Sequence, residues 1–423
     1  MSDTGAVDTP PPTAPARGAA VAFIFVTILL DMLALGLIMP ILPKLVESFV
    51  DNDTARAARI FGLFGTAWAL MQFFFSPILG SLSDRFGRRP VVLLSNFGLG
   101  LDYVLMALAP SLIWLFVGRV ISGITSASIS TAFAYIADIT PPERRAAVFG
   151  KIGAAFGAGF VIGPAIGGLL GDADPRLPFW VAAALSFANT IYGLLILPES
   201  LSRDRRAPFH WTSANPVGAL NLLRSDRILA GLSLSNFFAQ LAHAVLPSTF
   251  VLYATYRYGW DSKTVGATLA MVGICAMLVQ GLGIGPIVRL FGERLSLLLG
   301  LFCGAAGFLI FAIAPTGPLS WLGIPVMSLW GVSGAAIQSL MTKQVAPDQQ
   351  GQLQGANTSV QSVSQLLGPS LFTLTFAYFI GTTAPTHLPG APFLLASVLV
   401  LLALGIAAAA LSGAKPRETK APA

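Results

Sequence analysis

Twelve apolar runs of about 20 residues divide this 423-residue chain, and each is long enough to cross roughly 30 Å of hydrocarbon. They fall at roughly 20–43, 59–81, 89–109, 112–134, 146–170, 178–197, 228–253, 264–288, 294–314, 319–341, 353–378 and 391–411. The runs are continuous rather than alternating. The spanning element is therefore an α-helix, which satisfies its backbone polar groups within one segment, and not a barrel strand. Charged residues make up only 10% of the chain against 55% hydrophobic ones, too little polar material to clothe a soluble surface.

A repeat splits the twelve spans into two sets of six. Gly80, Asp84, Gly87, Arg89, Pro142, Gly150, Gly163 and Pro164 recur 205 places later as Gly285, Arg289, Gly292, Arg294, Pro347, Gly355, Gly368 and Pro369. Most of these pairs are glycine or proline, residues that fix backbone shape rather than fill volume. Only the Asp84/Arg289 pair changes charge sign. The expected fold class is an all-α membrane protein, with twelve transmembrane helices in two pseudo-symmetric six-helix bundles. Residues 19–197 and 228–412 are expected to form the bundles, 198–227 a cytoplasmic linker, 1–18 a disordered cytoplasmic tail and 413–423 a cytoplasmic tail. Such halves place a site at their interface and rock about it, so a carrier is expected. No GxxxxGK[ST] pattern is present, which argues against direct ATP drive.

Basic residues set the expected orientation. With both termini cytoplasmic, eighteen Lys/Arg lie on the inside and six outside, leaving Arg119 within a span. The net charge of +6 is thus a topology signal and calls for no nucleic acid. The Pro-rich start has no basic n-region and reads as a tail rather than a cleaved signal. Cys275 and Cys303 sit in spans and suggest neither a disulfide framework nor a metal site. With three histidines and no clustered carboxylates, no enzyme is expected, and no cofactor or metal. The expected partners are a small-molecule substrate, protons and the bilayer, with the chain working as a monomer.

The turn between spans two and three, Gly80, Asp84, Arg85, Gly87, Arg88 and Arg89, is read as a cytoplasmic gate. Gly80 allows close helix approach, Gly87 allows a positive-φ turn, and Asp84 is free to pair with arginines at neighbouring helix ends. The competing reading is ordinary positive-inside anchoring. Asp31, Asp102 and Arg119 are the three charged residues clearly inside spans, and a charge at that depth costs roughly 2.5–3.5 kcal/mol on insertion scales. Asp31 lies twelve residues before Pro43, about 18 Å along the helix and hence near mid-membrane. Asp102 and Arg119 lie at matching depth on a tight hairpin, where pairing is expected. Burial disfavours a carboxylate and an approaching cation favours it, so movement relative to Arg119 would let Asp31 take up and release a proton. The alternative is a static ion pair that holds the first bundle together.

The second half has no charged residue clearly inside its spans. Its polar candidates include Asn236, Gln240, His243, Gln280, Gln338 and Gln361, with Gln72 in the first half; they are read as cavity lining or, alternatively, as interhelical hydrogen bonds. Asn236, Gln240 and His243 share one face of span seven, and Asn236 is the repeat counterpart of Asp31.

Several stretches carry a family likeness: Asp31 to Pro43, Ala69 to Gln72, Ser83 to Pro90, Leu101 to Tyr103, Gly118 to Thr125 and Gln350 to Gly355. With these the chain resembles the major facilitator superfamily and, within it, the drug:proton antiporters of the tetracycline-efflux type. Gly157, Gly163, Pro164, Gly167 and Gly168 in span five resemble the motif that marks antiporters rather than symporters; a generic small-residue packing face is the other reading. The resemblance implies proton-coupled efflux of small amphipathic compounds, tetracycline-like or other drugs, from a bacterial inner membrane. The alternatives are a metabolite uptake symporter of the same superfamily and a non-transporting membrane sensor or scaffold. The chain departs from tetracycline pumps at Ala276, where they carry His, and at Gly304, where they carry Asp.

Overall fold

A computed structural model describes residues 14–412, apart from 126–127, 141, 347–348, 383 and all of 202–225 except 204, 206 and 223. The expected linker and C-terminal tail lie mostly outside the described residues. The first described helix begins at Ala14.

Span 1 is Ala14–Ile38, followed by a short helix Leu42–Ser48, and spans 2 and 3 are Thr54–Phe86 and Arg88–Leu108. Span 4 joins Leu112–Thr125 to Ser128–Ile139, and spans 5 and 6 are Pro142–Ala173 and Leu177–Ile196. Span 7 is Arg227–His243 and Val245–Tyr258, stepped at Ala244. Span 8 starts as Ser262–Leu278, passes through a π-turn at Val279–Gly283, and runs into helix Ile284–Ile313. That helix breaks at Gly292, and its second part is span 9. Span 10 is the broken series Gly317–Trp321, Gly323–Ser328 and Gly331–Thr342, and spans 11 and 12 are Gln350–Ile380 and Ala391–Ser412. Among the described residues, ten helical stretches are long and apolar enough to cross a membrane. Dividing Ser262–Ile313 at Gly292 and adding span 4 gives twelve.

Local chemistry explains the helix starts. Asp53, Asp226 and Asp261 cap spans 2, 7 and 8, their carboxylates accepting backbone N–H bonds of 2.9, 2.8 and 2.7 Å from Arg56, Ile228 and Thr264. The Thr264 bonds also hold the Asp261 carboxyl below its ordinary range. The repeat is legible in the backbone. Gly87 has φ 108° and its counterpart Gly292 has φ 72°, both in the region that a side chain disfavours.

Span 5 is wedged between the halves. Gly163 lies against Gly36 and Gly167 against the Leu37 backbone of span 1, and a Cβ on Gly163 would stand 2.7 Å from the Gly36 Cα. Gly168 meets span 8 instead: a Cβ there would stand 2.5 Å from the Ser262 carbonyl and 3.0 Å from the Gly266 Cα. Without side chains at these positions the backbones approach closely, which is how helices associate where lipid supplies no hydrophobic drive. Spans 2 and 11 make the matching inter-half seam through the Thr66–Ser370 hydroxyl pair at 2.7 Å and the packing of Gly65 on Pro369. A Lys44 ammonium donating to the Trp260 carbonyl at 3.1 Å adds a further tie.

All these contacts lie in the half of the molecule away from the chain termini. At the termini end, a Cβ on Gly80, Gly153, Gly281 or Gly285 would meet no atom within 4 Å. Gly80 therefore does not serve the close helix approach expected of it in this state. Among the described residues, these close backbone contacts between the halves lie at the far end.

Candidate functional site

Asp31 sits on the inner face of span 1, half-buried. The Asn189 side chain of span 6, wholly buried, donates to Asp31 Oδ1 at 3.1 Å and accepts from the Thr27 hydroxyl at 3.1 Å. The amide thus fixes the carboxylate one helical turn above Thr27. The next residue, Met32, packs on Gly159 of span 5, where a Cβ would stand 2.6 Å from the Met32 Cβ. Asp31 is thereby mechanically tied to the helix that meets the second half.

Asp102 and Arg119 do not pair. Asp102 is wholly buried against Gly118, and neither oxygen accepts a hydrogen bond of normal geometry; Ser122 is the hydroxyl beside it. Arg119 instead lies over the Trp68 ring, 5.3 Å from its centroid. Matching depth on a hairpin does not set which way each side chain points around its helix. Trp68 on span 2 presents a π face to the guanidinium, while Asp102 acts on it only at electrostatic range. Buried Tyr103 lies within electrostatic reach of Asp31, Asp102 and Arg119 and joins them into one polar centre.

The turn after span 2 closes a knot within the first bundle. Arg88 pairs with Asp84 at 2.6 Å and with Asp138 of span 4 at 3.2 Å. Glu199 accepts from the Arg88 and Arg89 backbone N–H groups at 2.9 and 3.3 Å, and Arg89 donates to the Leu194 carbonyl at 2.7 Å. Arg85 stacks on Phe86 at 5.2 Å. Asp84 pairs here with its own turn and not with the second half.

In the second bundle a cavity of about 240 Å³ opens between spans 7, 8, 9 and 10. Asn236, Gln240, His243 and Gln280 line it together with Trp330, whereas Gln72, Gln338 and Gln361 do not. Gln338 accepts a hydrogen bond from Asn357 at 3.2 Å, and Gln361 is exposed elsewhere. Ala276 borders the cavity, and Gly304 lies under the Trp330 indole, where a Cβ would stand 2.8 Å from the ring.

With this geometry in view, the Major Facilitator Superfamily profile matches residues 24–369. The chain belongs to the Major Facilitator Superfamily. Within it, the chain falls among the drug:proton antiporters. It is 39% identical over 361 residues to the class C tetracycline resistance protein of Escherichia coli, covering 85% of this chain and 90% of that one. The class B protein of Escherichia coli is 36% identical over 354 residues, covering 82% and 86%. Among solved folds, the human organic anion transporter MFSD10 superposes with a TM-score of 0.68 at 24% identity over 92% of this chain and 99% of that one. An inward-facing bacterial homologue of the lysosomal transporter Spinster gives a TM-score of 0.75 at 16% identity over 97% and 100%. This superfamily member is a membrane transporter.

Sequence reasoning missed Asn189, Trp68, Tyr103, Asp138, Glu199 and Trp330. Asp138 alone left a usable signal: it stands 205 residues before Lys343, an oppositely charged residue at the same repeat position.

Proposed function

We propose that this transporter exports small amphipathic compounds in exchange for protons, with Asp31 as the proton carrier. The observation that carries the reading is the half-buried Asp31 carboxylate, held by Asn189 on a helix that is clasped by span 5. Proton uptake there alters span 1, span 5 hands the change to span 8, and the halves rock. With both termini in the cytoplasm of a bacterial inner membrane, the end where Gly80, Gly153, Gly281 and Gly285 meet no neighbour faces the cytoplasm, the side from which an exporter loads. Arg119 tunes the polar centre, and the Asp84/Arg88 turn gates the cytoplasmic side. A proton moving inward through 100 mV releases about 2.3 kcal/mol, enough for roughly a fifty-fold gradient of a neutral compound exchanged one for one.

Everted membrane vesicles test this. The expected result is uptake of a drug such as tetracycline that collapses with a protonophore and is lost in Asp31→Asn. Full, uncoupler-sensitive uptake by that variant overturns Asp31's role.

A further inference from the structure

We infer that the cavity between spans 7, 8, 9 and 10 is a binding subsite for an uncharged, flat ring compound carrying both hydrogen-bond donors and acceptors. Its role in transport rests on the efflux reading above.

The cavity of about 240 Å³ exceeds the ~150 Å³ that holds a benzene, so one substituted ring or two fused rings fit. Its wall offers an aromatic platform: Trp330 and His243 stand 5.6 Å apart, centroid to centroid, tilted by 51°. Asn236, Gln240, His243 and Gln280 border the space, and among the described residues none of the four makes a side-chain hydrogen bond to protein. Asn236 and Gln240 are half-buried, and His243 and Gln280 are exposed at the cavity they line. Amides both donate and accept, so the matching ligand presents both functions.

Among the described residues, no Asp, Glu, Lys or Arg lines the cavity. The indole of Trp330 fills the space beside Gly304, and span 9 lines the cavity with the apolar Leu297 and Leu301. An ionic ligand would leave its charge unpaired, which costs more than neutral hydrogen bonds return. The wall therefore selects against permanent cations.

Purified full-length chain in nanodiscs, with no gradient, gives the test. Equilibrium binding is compared for uncharged ring compounds (chloramphenicol, caffeine, naringenin) and for permanent cations (ethidium, tetraphenylphosphonium). Two variants, Gln240→Leu and Gln280→Glu, are first checked for monodispersity and unchanged thermal unfolding. The expected result is binding of at least one uncharged probe in preference to both cations. Gln240→Leu weakens that probe about three- to tenfold. Gln280→Glu tightens ethidium about tenfold. Equal binding of the two classes, binding of neither, or a probe preference unmoved by both variants overturns the inference. Because no gradient is used, charge-selective binding without protonophore-sensitive uptake sinks the transport reading alone. Protonophore-sensitive uptake without charge-selective binding sinks the subsite alone.

Discussion

Glu293 and Lys343 form an ion pair of 2.6 Å at the repeat positions of Arg88 and Asp138, 205 residues earlier, with both signs reversed. The two bundles thus share a corner geometry, the start of one span tied to the end of the next, while inverting its charge. Ser339 reinforces Glu293 at 2.7 Å, and Ser200 reinforces Asp138 at 3.2 Å. Arg289 follows the same inversion opposite Asp84.

The corners differ in burial, and their strengths should differ accordingly. Lys343 is 61% exposed, whereas Arg88 is 12% exposed and bound to two carboxylates. Lys343→Met should change stability by under ~0.5 kcal/mol, since exposed pairs contribute little. Asp138→Asn should cost about 1–2 kcal/mol, because a charge-assisted bond to a largely buried guanidinium is lost. Thermal unfolding of the detergent-solubilised variants decides; a larger loss at Lys343 contradicts the ranking.

Asn189 should act through Asp31. Asn189→Leu removes the donor to the carboxylate while nearly keeping volume. A charge-assisted hydrogen bond of about 1.5 kcal/mol corresponds to about one pH unit in the midpoint of the transport–pH profile. The profile should move by that order at preserved expression. A uniform drop in rate with an unmoved midpoint would mean that Asn189 only packs.

The seam between spans 2 and 11 can be locked. In a background with Cys275 and Cys303 replaced by Ala, Thr66→Cys with Ser370→Cys places two thiols where hydroxyls now stand 2.7 Å apart. Oxidation should stop transport and dithiothreitol should restore it, because the far end must part for the halves to rock. Undiminished transport by the quantitatively cross-linked protein contradicts that motion.

The repeat glycines should respond unequally. Both have positive φ, so alanine brings backbone strain of about 1 kcal/mol at each. Gly87→Ala in addition drives its Cβ into the Glu199 carboxylate and to 3.1 Å from Arg206 Nη2, whereas Gly292→Ala meets open space. The Gly87 variant should be the less stable by about 1 kcal/mol or more in thermal unfolding. Equal losses would mean that Glu199 yields freely.

Much of the architecture follows from sequence alone, for a local reason. The cost of placing each residue in hydrocarbon belongs to that residue, so twelve apolar runs specify twelve spans wherever they pack. Gly87 and Gly292 mark their turns because a positive φ is a property of one backbone position. Asp31, Asp102 and Arg119 stand out because charge inside a span is expensive on its own.

Partners were decided only by the tertiary structure. Hydropathy says nothing of how a helix is rotated about its axis, and rotation determines whom a side chain meets. Arg119 thus rests on Trp68 rather than Asp102, and Asp31 is held by an asparagine 158 residues away. Gly304 is covered by an indole from span 10, and span 5 uses adjacent glycines to grip two different bundles. Each depends on several helices packing at once, and no single segment of the chain encodes that.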